Sequence, residues 1–151
     1  MSGNAQPQFT RQGNIGSTLF GGTALTTSDG SSGTIGTTMQ IAFTADATNG
    51  SYVEAIRVMA VASVAATATA ATVARVYVSS IATGSTTTSN TYLIGELALP
   101  AITADQTTTA TNWFDLPLGF RLPAGYTILV SSHVVNNGST NLRAIVFGGD
   151  Y

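Results

Sequence analysis

Met39-Gln-Ile-Ala-Phe-Thr44, a turn cluster from Asp46 to Ser51, and then Tyr52-Val-Glu-Ala-Ile-Arg-Val-Met-Ala-Val61 decide the fold. In the first run Met39, Ile41 and Phe43 alternate with Gln40, Ala42 and Thr44. That is a period of two, and successive side chains of a strand point to opposite faces. In the second run Ile56 and Val58 share one face, with Arg57 and Met59 on the other. Asn49-Gly50 between them is a turn signal, because both residues tolerate positive φ.

The same grammar continues outward. Thr72 to Ile81 reads as a strand with Val76 and Val78 opposite Arg75 and Tyr77. Thr91 to Leu99 reads as another, with Leu93, Leu97 and Leu99 on one face and Glu96 on the other. Pro100 ends it, since proline cannot donate to a sheet ladder. A short strand at Trp113 to Leu116, a tight turn at Leu122-Pro-Ala-Gly125, and strands at Tyr126 to Val135 and Leu142 to Phe147 complete the set. Ala62 to Ala71 reads as a β-hairpin with a small-residue loop, or alternatively a short helix. Ala82 to Asn90 is a loop, Ala101 to Asn112 a polar connection, and Asn136 to Asn141 a turn. About eight short strands without an amphipathic helix or an internal repeat predict an all-β, jelly-roll-like two-sheet β-sandwich. That domain spans residues 36–151. Residues 1–35, rich in Gly, Ser, Thr, Gln and Asn, read as an extended N-terminal arm with one short strand. Trp113 is expected to plug one end of the sandwich, and Asp115 to pair with Arg121 across the adjacent turn.

Only 8% of the 151 residues are charged, against about 25% in ordinary soluble domains. There is no lysine and no cysteine, and the formal net charge is −2. Cysteine-free chains have no disulfides, thiolate chemistry or Cys-ligated metals. A phosphate-backbone binder needs clustered Lys and Arg. Arg11, Arg57, Arg75, Arg121 and Arg143 are scattered through the sequence, and folding is not expected to gather them. No apolar run is long enough to span a membrane, and Met1 to Gln12 has no signal-peptide core, so synthesis in a cytoplasm is expected. Asn49-Gly50-Ser51 and Asn137-Gly138-Ser139 match the glycosylation pattern but read as turns.

The inventory for catalysis is thin. His133 is the one histidine; Ser131 shares its strand face and Ser132 does not, and no third group completes a triad. The carboxylates Asp29, Asp46, Glu54, Glu96, Asp105, Asp115 and Asp150 include no pair selected by spacing, although Glu96 and Asp115 are the glycosidase candidates to test. Gly16-Ser-Thr-Leu-Phe-Gly-Gly-Thr23 lacks the lysine a phosphate-binding loop requires. No zinc set exists, and calcium through Asp29 or Asp46 has no supporting spacing. No catalytic residue, cofactor or metal is expected, and the protein reads as a non-enzyme. Tyr52, Tyr77, Tyr92, Trp113, Phe114, Tyr126 and Tyr151 could form a stacking platform for a sugar or a base.

Asp115-Leu-Pro-Leu-Gly-Phe-Arg-Leu-Pro-Ala-Gly-Tyr-Thr-Ile128 and Arg143-Ala-Ile-Val-Phe-Gly-Gly-Asp-Tyr151 resemble the end of a family of small virion proteins of tailed bacteriophages. Tyr52 to Val58 and Ala74 to Val78 fit the middle, so the resemblance covers about residues 36 to 151. It implies a jelly-roll-like protein of the capsid decoration, or cement, type. Such a protein sits on the capsid exterior of the virion and clamps neighbouring major capsid subunits, as a homo-oligomer, dimer or trimer. Nucleic acid and membrane are not expected partners. The arm residues Phe9, Arg11, Ile15, Leu19 and Phe20 are the expected shell contacts, and Gly148 to Tyr151 an ordered tail. The alternative is a tail-fibre or baseplate receptor-binding module that recognises a host surface glycan. A fibre tip would usually end a longer chain, and a short chain starting at Met1 reads as a complete protein instead.

Overall fold

The computed structural model describes residues 10–62, 67–104, 112–136 and 140–151. Among them the chain forms β1 (Gln12–Phe20), β2 (Gln40–Thr44), β3 (Ser51–Ala62), β4 (Thr67–Ala68), β5 (Thr72–Ser79), β6 (Thr91–Leu99), β7 (Thr103–Ala104), β8 (Trp113–Leu122), β9 (Thr127–Ser132) and β10 (Thr140–Asp150). One four-stranded sheet runs β1-β10-β3-β8, the other β2-β9-β5-β6, and β4 and β7 form a small ribbon. All strand pairs are antiparallel.

The pairing is nested. β1 pairs with β10, β2 with β9, β3 with β8 and β5 with β6, as if one long hairpin were folded at its middle. Rolling that hairpin adds the β10–β3 and β9–β5 ladders and closes a jelly roll. Closely spaced strands therefore separate into different layers. β3 and β5 lie in different sheets, so the small-residue stretch after Val61 does not join them as the expected hairpin. Its residues 63–66 lie outside the described residues, as do 105–111 of the polar connection and Asn137-Gly138-Ser139.

The main core lies between the sheets. Val53, Ile56, Val58 and Ala60 of β3, Leu142, Ala144 and Val146 of β10, and Val76, Ile128 and Val130 opposite are all buried. The alternation read in β3 holds, with a bulge between Val53 and Ala55. In β6 it does not. A bulge opposite Val76 and Tyr77 shifts the register, and Leu93 is turned to solvent while Leu97 packs on the core. β8 is longer than the expected Trp113–Leu116. It tolerates Pro117 because it is an edge strand, where a missing N–H leaves no ladder bond unmade.

Two glycines allow close approaches. Gly50 has φ 75° in the β2–β3 turn, where a side chain would meet the Leu122 carbonyl. At Gly16 a Cβ would lie 2.1 Å from the Ala42 carbonyl oxygen, so glycine lets β1 of one sheet close against β2 of the other.

Residues 10–35 are part of this body rather than an extended arm. β1 is a nine-residue edge strand paired with β10 along its whole length. Its last residue, Phe20, is 3% exposed in the main core. The chain then straps across the outer face of the second sheet. The Leu25 amide donates to the Ser132 carbonyl, the Thr86 amide to Gly33, and the Ile35 amide to Gly84. Under this strap Leu25, Met39, Tyr77 and Leu129 make a second small core. At the other terminus β10 carries the chain through Asp150, and the Tyr151 amide donates to the Gly50 carbonyl.

Candidate functional site: the open face of the first sheet

Among the described residues no segment straps the outer face of the first sheet. The strand registers set its residues in rows. Leu19, Arg143, Met59 and Trp113 form the upper row, and Ser17, Ile145, Arg57 and Asp115 the next. Ile15, Phe147, Ala55 and Pro117 follow, and Gly13, Gly149, Tyr52 and Arg121 close the lower end. Strand and row spacings give a face roughly 20 Å by 20 Å, about 400 Å², a size at which an exposed patch with much apolar surface is usually functional.

Its centre is an arginine sandwiched by aromatics. The Arg57 guanidinium lies 5.0 Å from the Trp113 ring centroid and 5.8 Å from that of Phe147. The same group donates twice to Asp115, Nε to Oδ1 and one terminal nitrogen to Oδ2, both at 2.8 Å. This fork fixes the position of the guanidinium beside the two rings. The hydrogen bond from Arg57 holds the Asp115 carboxyl below the usual carboxylate range, and Asp115 raises Arg57 in turn. At the lower end Arg121 stacks 4.8 Å from the Tyr151 ring and donates to the Asn49 carbonyl. Asp115 thus meets Arg57 across the β3–β8 pair. No turn separates Asp115 from Arg121; both lie on one continuous strand, about 20 Å apart.

Trp113 is 56% exposed, and its neighbour Phe114 packs on the core instead. The expected plug is therefore reversed. Parity allows one of the two adjacent rings inside, and the register of β8 chose phenylalanine. Ile15 and Leu19, expected as contact residues, lie on this face, 68% and 44% exposed. Arg11 is exposed at the lower edge, its amide bonded to the Asp150 carbonyl. Phe20 is buried, and a charge at this position would break the core rather than a contact. Phe9 lies outside the described residues. The reading of sequence missed Met59, Arg143, Ile145 and Phe147. Their signal was present: β10 is apolar on both faces, the mark of a strand covered twice or left with a sticky surface. The structure also gathers Arg57, Arg121 and Arg143 on one face, against expectation.

The second sheet's outer face carries a matching pair. Arg75 Nε donates to Glu96 at 2.8 Å, but here the guanidinium is buried and also donates to the carbonyls of Leu25 and Thr27 in the strap. His133 sits at its rim, Nδ1 3.4 Å from the guanidinium. Ser131 is buried and its hydroxyl makes no hydrogen bond with that ring. Burial pushes the Tyr77 phenol up. Glu96 and Asp115 lie on opposite outer faces, each held by an arginine, and cannot act as a catalytic pair.

Comparison with protein-family models, with curated proteins and with solved structures returns no match.

Proposed function

We propose that the protein is a bacteriophage capsid decoration (cement) protein that binds the outer surface of the head and braces contacts between major capsid subunits. The observation that carries this reading is the open face of the first sheet. This jelly roll covers one outer face with its own chain, and among the described residues nothing covers the other, which carries Trp113, Ile15, Leu19 and Arg143. Exposed Trp and Arg among apolar residues are the composition of interface hot spots. The chain acts by binding, not catalysis, and works as a homo-oligomer, dimer or trimer, on the virion exterior. Many modest contacts made together on a symmetric shell give it avidity. The resemblance of the segments 115–128 and 143–151 to small virion proteins supports the same reading.

The exposed Trp113 beside Asp115 also favours a second reading, a tail-fibre or baseplate module that stacks a host glycan on the indole. Cryo-electron microscopy of particles from cells producing this chain separates the two. Copies distributed over the head exterior and bridging subunits are expected. A few copies at the tail tip would overturn decoration in favour of adhesion.

A further inference from the structure

Arg143 sits in the upper row of the open face, between Leu19 and Met59 in register and two strands from Trp113. Among the described residues its guanidinium has no carboxylate within ion-pair distance. Among the described residues, two carboxylates reach this face. Asp115 has both oxygens engaged by Arg57, and Glu54 stands at the β3 bulge, level with Tyr52 and Ala55 and far from Arg143. Among the described residues the upper row thus holds a cation, Arg143, with no acidic neighbour in its own or the next row except the engaged Asp115, although the whole chain carries −2. Arg143 is half-buried among Leu19, Met59 and Ile145, and among the described residues no carboxylate offsets its charge.

We infer that the open face docks on an acidic protein surface, with a partner carboxylate seated on Arg143 and apolar partner groups on Leu19, Met59, Trp113 and Ile145. This rests on the decoration reading only in naming the capsid as the place to look. Charge complementarity selects the occupant. A nucleic acid strand would meet Ile15, Leu19 and Ile145 where it needs cations, and Arg57 is already neutralised by Asp115. A second copy docked face to face with upper row on upper row would set Arg143 against Arg143, and a two-fold that set the Glu54 end of one face over Arg143 of the other is the self-docking outcome the test distinguishes.

The test uses the whole chain and a defined acidic probe, a random glutamate–tyrosine copolymer, followed by NMR titration. Copolymer binding that moves the Arg143, Arg57 and Trp113 signals is expected. Binding should weaken about tenfold between low and about 0.5 M salt, as screening shortens. Arg143→Glu and Trp113→Ala should each weaken it about tenfold, and Arg143→Gln, which keeps the bulk of the side chain, by several-fold. Failure of the wild-type chain to bind, or equal binding by Arg143→Glu at unchanged melting temperature, overturns the inference. Tighter binding of a short oligothymidylate overturns it in favour of nucleic acid. A sedimentation dimer that Leu19→Asp dissolves overturns it in favour of self-docking. Absence of the chain from head particles, with copolymer binding intact, sinks decoration and leaves the acidic-partner face standing.

Discussion

The two outer faces of the sandwich are built alike and finished differently. Each carries one arginine–carboxylate pair at 2.8 Å, Arg57–Asp115 on the first sheet and Arg75–Glu96 on the second. On the second sheet the strap lies over the pair, and the arginine side chain is 9% exposed; on the first it is 34% exposed. The covered arginine serves the fold, because its remaining N–H groups satisfy strap carbonyls that no strand pairs. The open one is stacked between aromatics and leaves its surface free for another molecule. The same residue type is thus enclosed by the fold or left at its surface according to whether the chain's own backbone reaches it.

The sharpest way to break this comparison is to remove each arginine. Arg75→Met should cost about 3 kcal/mol in urea unfolding, since two strap carbonyls lose a charged donor while half-exposed Glu96 is re-solvated. Arg57→Met should leave the unfolding midpoint unchanged, because exposed ion pairs contribute little. Equal losses would mean that the two pairs play one role. Next in size is Leu25→Ala, about 2 kcal/mol from the small core beneath the strap, with faster amide exchange at Leu25 and Thr86. Protection retained there would show that backbone bonds alone hold the strap. Trp113→Ala should shift stability by less than about 0.5 kcal/mol while it removes most docking, the inverse of the strap variants. A large loss in melting temperature would place Trp113 in the fold after all.

The smallest effect is acid sensitivity. Arg57 holds Asp115 below its ordinary 3.8, and the Asn49 and Thr48 amides do the same for Asp46. A carboxyl depressed in the folded state contributes stability that is fully present above 3.8 and lost as pH falls through the folded value. Melting temperature should therefore decline as pH drops below about 4, and slightly less in Arg57→Met than in the wild type. A variant that declines as steeply as the wild type would remove Asp115 from that account.

Much of this was legible from residues. The alternation in Tyr52–Val61, the Asn49-Gly50 turn and the Pro123-Ala-Gly125 turn stand where local chemistry put them. In Met39–Thr44 the alternation fails, because a bulge between Ile41 and Phe43 turns Phe43 into the main core beside Ala42 while Met39 and Ile41 face the strap. The bulges in β3 and β6 were not legible, because an extra residue changes which face its neighbours occupy without changing composition. The choice of Phe114 over Trp113 for the core was hidden for the same reason: adjacent residues always oppose, and register alone selects the inner one. The Arg57–Asp115 pair joins residues 58 apart in sequence, so no spacing rule reaches it.

Sequence by itself determined an all-β chain, its turns and its scarcity of charge, because these follow from side-chain period, backbone freedom at glycine and proline, and composition. Only the tertiary structure decided that residues 12–20 complete a sheet, that residues 21–35 cover the outer face of the second sheet and not that of the first, and that scattered arginines share the first sheet's outer face. Those outcomes depend on pairing between distant strands, where rolling the nested hairpin brings β1 and β10 side by side.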